Sequence, residues 1–80
     1  MYYVTEFYLP EGEVNFVKPF ASLEDAKEFL KTAAEDALRY EEEQGNGEKD
    51  LVFEIEENLN HAKLSKYDDA LQWIWNITEE

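Results

Sequence analysis

The chain has 80 residues, of which 20 are acidic and 7 are Lys or Arg, so its formal net charge at pH 7 is −13. Aromatic residues make up 15% of the sequence, which excludes a disordered acidic tail because such tails lack the apolar surface that offsets ordering entropy. The absence of Cys excludes a disulfide scaffold and a thiolate metal site, and no apolar run has the length of a membrane span. We therefore expect one small acidic α+β domain over residues 1–80, and the lack of a signal-peptide pattern predicts a cytoplasmic protein.

The first twenty residues have the pattern of a β-hairpin. Residues 2–9 are rich in aromatic and β-branched side chains, and residues 13–20 alternate between apolar and polar ones. Pro10 and Gly12 suit the turn between these two strands, because Pro fixes one turn dihedral and Gly permits an unusual one.

Ser22 is expected to begin a long helix. Its hydroxyl can accept a hydrogen bond from the N–H groups at the helix start, and Asp25 stands at the capping-box position. Apolar residues from Leu23 to Tyr40 recur at spacings of three and four, as on one face of a helix. Gly45 is a suitable end, which predicts a helix of about 22 residues.

The second half of the chain predicts two further strands and one ambiguous segment. Residues 51–55 alternate as a half-buried strand does, residues 57–60 have turn composition, and residues 61–64 predict a short fourth strand. The segment 66–78 has the alternation of a strand, but its polar residues also form one arc of a helical wheel. Ser65 and Asp68 repeat the spacing of Ser22 and Asp25, which favours a helix.

These elements predict an α+β fold of the type ββαββα. It has a four-stranded antiparallel sheet with one long and one short helix. The alternative is ββαββ with residues 70–78 as a strand. The expected core side of the sheet consists of Tyr3, Phe7, Leu9, Val14, Phe16, Leu51, Phe53, Ile55 and Leu64. The expected opposite side consists of Tyr2, Val4, Tyr8, Val17 and Val52.

No group of residues predicts catalysis, a metal site or a cofactor. His61 is the single histidine, and no nucleophile or carboxylate is spaced around it in a recognised pattern. The carboxylate pairs at 56–57 and 68–69 are expected to be solvated, whereas acid–base catalysis needs two carboxyl groups in a cleft. Residues 41–50 lack the ligand spacing of a calcium loop. We therefore expect a non-enzymatic protein.

Carboxylates concentrate on one side of the predicted long helix, where they fall into two groups. The acidic ridge, within about 40° on the helical wheel, comprises Glu24, Glu28, Glu35 and Glu42. The flanking stripe comprises Asp25, Asp36 and Glu43. Lys31 and Arg39 interrupt the ridge, and Glu35 is expected to pair with Arg39. The run Glu41–Glu43 opposes the helix dipole without visible compensation, which is typical of a functional position.

The charge predicts the kind of partner. A strongly negative protein repels nucleic acid and anionic membranes and attracts Lys- and Arg-rich protein surfaces. In size and charge alone, the chain resembles small phage- or plasmid-encoded acidic inhibitors that occupy nucleic-acid grooves of restriction or CRISPR proteins. We expect an acidic binding protein that uses the ridge and the stripe, with Tyr2 or Tyr8 as an aromatic anchor. The alternative is a homo-oligomeric structural or regulatory module, formed through the Tyr2 side of the sheet or through the segment Trp73–Trp75.

Overall fold

A computed structural model describes residues 1–9, 11–44, 51–66 and 70–80. The elements in chain order are β1 (Tyr2–Leu9), β2 (Glu13–Phe20), α1 (Leu23–Glu43), β3 (Leu51–Ile55), β4 (His61–Lys66) and β5 (Leu71–Glu79). The five strands form one antiparallel sheet in the order β2-β1-β5-β4-β3, and α1 packs on one side of it. The architecture is therefore ββαβββ in two layers.

The sheet is assembled from two sequence-local pieces that meet at its centre. The β1–β2 hairpin and the β3–β4–β5 meander join where the first and last strands pair. The backbone amino group of Met1 donates to the carbonyl of Glu80 at 3.1 Å, and the Glu80 N–H donates back to Met1 at 3.0 Å. Because α1 connects the two edge strands, it must cross the whole sheet, which its length of roughly 31 Å allows.

The helix begins where the sequence predicts. Ser22 is the N-cap residue, and its hydroxyl oxygen accepts a hydrogen bond from the Asp25 N–H at 3.2 Å. On the side of α1 that faces the sheet, Ala26, Leu30 and Ala34 form a fully buried stripe. The expected helix end at Gly45 lies outside the described residues.

The predicted second helix over residues 66–78 is wrong, and with it the four-stranded ββαββα fold. Residues 71–79 are strand β5, which pairs along its length with both β1 and β4. Ser65 is not a helix cap but a buried residue of β4. The strand considered as the alternative for residues 70–78 is present, although it is the fifth strand of the sheet. Without it, β1 and β4 would each leave a row of unpaired backbone groups.

The predicted sides of the sheet are correct for β3 and β4 but reversed for β1. The core prediction for Val14 is also wrong, because a bulge between its position and Phe16 turns it to the other side, where it is half exposed. Val4 is fully buried beneath α1, Tyr2 packs on the same core, and Tyr8 lies opposite Trp73 on this side. The other side, which we call the open face, carries the apolar side chains of Tyr3, Phe7, Leu9, Val14, Val17, Val52 and Ile74. It also carries the polar side chains of Thr5, Glu54, His61, Lys63, Ser65, Gln72, Asn76 and Thr78. The core predictions for Phe16, Leu51, Phe53, Ile55 and Leu64 are confirmed. Strand β1 has apolar side chains on both sides, so alternation alone does not select its buried side.

Gly12 is required in the turn of the first hairpin because its φ is +69°, in the left-handed region. Apart from its two chain neighbours, no described residue has an atom within 4 Å of the position that a Cβ would occupy, so a side chain there adds backbone strain rather than a clash. We expect Gly12→Ala to lower the free energy of unfolding by about 1 kcal/mol, and Gly12→Asn by less, because Asn tolerates this region. Urea unfolding of the three proteins measures both changes, and equal stability of Gly12→Ala and the parent would contradict the strain.

Candidate functional site

The acidic ridge and the flanking stripe lie on the solvent side of α1, where the helical pattern predicts them. All seven side chains are exposed: Glu24, Asp25, Glu28, Glu35, Asp36, Glu42 and Glu43. On the helical wheel they stand opposite the stripe that packs on the sheet. A single element therefore presents the whole group to one side of the molecule.

These carboxylates are almost all without a cation. Asp36 pairs with Arg39 at 3.2 Å, and both side chains are exposed, so the pair contributes little to stability. Arg39 was expected to pair with Glu35, and that prediction is wrong. The other six carboxylates make no side-chain hydrogen bond or ion pair within the part of the chain that the structure describes. Their negative charge is available to a partner.

Glu41 is different from its neighbours Glu42 and Glu43, because it is buried. Its carboxylate accepts a hydrogen bond from Lys66 Nζ at 3.1 Å, and both side chains are about nine-tenths buried. The Lys66 ammonium also lies 5.7 Å from the ring centre of Trp73. The expectation of three uncompensated carboxylates at the helix end is therefore wrong for Glu41. It follows Ala34 by seven residues and so continues the buried stripe.

An open groove of about 340 Å³ lies beside the first half of α1, between the helix and β2. Its lining residues are Phe20, Asp25, Glu28, Phe29 and Thr32, and we call it the aromatic groove. The rings of Phe20 and Phe29 are 5.2 Å apart between centroids. The groove therefore combines an aromatic wall with two unpaired carboxylates.

The aromatic wall already holds one cation. Lys18 Nζ lies 4.7 Å from the ring centre of Phe29, and Phe16 packs edge-on against the same ring at 5.7 Å. A cation near an aromatic face is attracted by the negative potential of the π-system, and a nearby carboxylate adds to this attraction. The groove has the chemistry to bind a Lys or Arg side chain.

The two tyrosines expected as anchors lie far from each other on β1, at its two ends. Tyr2 is half-buried against the core, where a hydrogen bond to Glu79 and the charge of that carboxylate raise the pKa of the Tyr2 hydroxyl. Tyr8 packs against Trp73 with ring centroids 5.3 Å apart. Their role as partner contacts stays a prediction. Phe20 and Phe29, unlike these two tyrosines, line a groove together with carboxylates of the acidic surface.

Several polar side chains of the sheet form hydrogen bonds with one another. His61 Nδ1 lies 2.5 Å from the side-chain oxygen of Asn76, on the open face. Glu6 accepts a hydrogen bond from the indole N–H of the buried Trp75 at 2.6 Å and one from the Asn15 side-chain amide at 2.8 Å.

Among the described residues there is no group of three or more side chains that could hold a metal ion. No helix in the described ranges is long and apolar enough to cross a membrane.

No protein family, curated protein or solved structure matches the chain. Functional inference therefore depends on the chemistry of the site itself.

Sequence reasoning identified the carboxylates but missed Phe20, Phe29 and Thr32 as their neighbours in the groove and the contact of Lys18 with Phe29. Phe29 is one of the apolar residues between Leu23 and Tyr40, and their spacing by itself indicates only the apolar face of α1. Its position at the border of that apolar face was the available signal, since a border residue on a helix contacts both the core and the solvent. The contact with Lys18 depends on the distance between α1 and β2, which only the tertiary structure sets.

Proposed function

We propose that the protein is a non-enzymatic acidic binding protein whose α1 surface docks onto a Lys- and Arg-rich protein surface. In this proposal, the ridge and the stripe supply charge, and the aromatic groove binds one cationic side chain of the partner. The observation that carries the proposal is the groove, where unpaired Asp25 and Glu28 border the rings of Phe20 and Phe29. A cation bound there gains both charge pairing and an aromatic contact.

A nucleic-acid-mimicking inhibitor is the more specific form of this proposal. The molecule exposes 5,219 Å² and carries a net charge of −13, or one net charge per about 400 Å², whereas a DNA duplex has one per roughly 100 Å². The molecule as a whole is therefore too weakly charged to replace DNA. The carboxylates cluster along α1, which supports mimicry of a short stretch of DNA only. We therefore propose a partner whose basic surface is a small patch.

Salt and charge-removing variants test the proposal with an oligo-arginine peptide of about nine residues as the probe. We expect fluorescence anisotropy to show binding that weakens strongly between about 50 and 500 mM NaCl, because screening acts on exposed charges. The double variant Asp25→Asn/Glu28→Gln is expected to weaken binding about tenfold at low salt, which corresponds to about 1.4 kcal/mol.

The matched control is Glu42→Gln/Glu43→Gln, which removes the same charge at the far end of α1. We expect it to weaken binding only about two- to threefold, because it removes long-range attraction without touching the groove. Equal losses in the two variants would contradict the role of the groove. Binding that does not change with salt would contradict the whole proposal.

A further inference from the structure

We propose that the open face of the sheet is a homodimer interface, covered in solution by the open face of a second copy of the chain. The helix covers one side of the sheet, and the open face has no covering element in the part of the chain that the structure describes. Three valines on it are about half exposed, with Val14 at 51%, Val17 at 54% and Val52 at 53%. Val14 and Val17 lie on edge strand β2 and Val52 on the opposite edge strand β3, so exposed apolar side chains stand at both margins of the face. Half-exposed valines on a sheet without a covering layer are a suitable contact for a second sheet.

The distribution of charge indicates a second copy as the occupant. In the described strands, the charged side chains on the open face are Glu54 and Lys63, which lie opposite each other in the β3–β4 register. Their formal charges cancel, whereas the whole chain carries −13. Two identical and strongly negative molecules repel each other through most of their surface, so a side whose described strands carry no net charge is where they can approach. A basic partner would find few carboxylates there.

The area is sufficient for a specific interface. Five strands spaced at about 4.8 Å, with an average length of about 7 residues, give the open face an area of roughly 550 Å². Face-to-face packing of two copies would bury about 1,100 Å² in total, above the roughly 1,000 Å² expected of a biological interface. Two sheets stacked in this way lie about 10 Å apart with the helices on the two outer surfaces.

The sheet edges are less suitable for self-association than the open face. Edge strand β2 contains Pro19, which has no N–H to donate, and its pairing with β1 is interrupted by a bulge opposite Glu6 and Phe7. The other edge, β3, has only 5 residues. Both features oppose edge-to-edge pairing, which leaves packing through the open face. In such a dimer both acidic helices stay exposed.

Sedimentation equilibrium of the full chain between about 10 and 300 μM tests the dimer. We expect the mass to approach twice the 9.5 kDa of one chain, and the dimer to become tighter between about 50 and 500 mM NaCl. This salt dependence is opposite to that expected for the basic partner, because here salt screens a repulsion. A monomer at every concentration and at both salt concentrations would overturn the proposal.

Charged substitutions identify the surface that is used. We expect Val17→Glu/Val52→Glu to weaken dimerisation at least tenfold, because it brings negative charges into the contact of two acidic chains. Both positions are about half exposed, so the monomer should fold, which circular dichroism checks. The control Tyr40→Glu changes a side chain that is 62% exposed on α1, and it should weaken dimerisation no more than about twofold, because its charge acts only at long range. A valine variant that dimerises as tightly as the parent would assign the contact to another surface.

Discussion

Replacing Trp75 with Ala is expected to lower the free energy of unfolding by about 4 kcal/mol. Trp75 is fully buried at the centre of the sheet, on β5 beneath α1, and is the largest of the fully buried side chains. Its removal creates a cavity and leaves the Glu6 carboxylate without the indole N–H that lies 2.6 Å away. A domain of this size has a total stability of only about 4–12 kcal/mol, so the variant will be close to unfolding.

Two further substitutions make the Trp75 prediction specific. Trp75→Phe keeps most of the ring packing but removes the N–H donor, and we expect a loss of about 2 kcal/mol. Ile74→Ala changes the adjacent residue, which lies on the open face, and should cost less than about 1.5 kcal/mol in the monomer. Chemical denaturation at low protein concentration measures all three. If Ile74→Ala costs as much as Trp75→Ala, the assignment of the buried side of β5 is wrong.

Replacing Lys66 with Met is expected to lower the free energy of unfolding by about 3 kcal/mol. The substitution removes the ammonium that lies 3.1 Å from the buried Glu41 carboxylate. The cost arises because the protein interior solvates a charge poorly, and removal of one partner leaves the opposite charge with less compensation. The ion pair joins the last turn of α1 to β4, so the substitution should also loosen the end of the helix.

A double-mutant cycle distinguishes this interaction from a simple loss of packing. Glu41→Gln removes the carboxylate charge with little change in volume, and the double variant Glu41→Gln/Lys66→Met leaves no buried charge from this pair. We expect the double variant to be more stable than the sum of the two single losses predicts, by at least about 1 kcal/mol. Additivity of the two losses would show that the two side chains do not interact. Arg39→Met, which removes an exposed cation from the same helix, should change stability by less than about 0.5 kcal/mol.

Local signals were sufficient for the first hairpin and for the helix. The strand over residues 13–20, the cap formed by Ser22 and the spacing of apolar residues in α1 depend on neighbours close in sequence, and the structure confirms each of them. The alternation within residues 13–20 holds only as far as the bulge, beyond which Val14 lies on the side opposite Phe16. The solvent-exposed position of the ridge and the stripe follows from the same helical spacing. Such features are determined before the elements pack together, because backbone geometry alone sets which side chains share a face.

Long-range contacts decided what the sequence left open. Residues 71–79 fit both a helix and a strand, and the need of β1 and β4 for a hydrogen-bonding neighbour selected the strand. The buried side of β1 is the one on which Val4 packs in the core, and this depends on the pairing of β1 with the distant strand β5 and on the position of α1.

The amino-acid sequence by itself determined a helix that presents its carboxylates on one side, since charge and helical period are both local properties. Only the tertiary structure brought Phe20 and Phe29 together beside Asp25 and Glu28. Only it left one side of the sheet without a covering element among the described residues, with half-exposed valines on that side. The physical reason is that a groove and a sheet face are formed by several elements. Their positions depend on which backbone groups pair and on how closely the helix approaches the sheet.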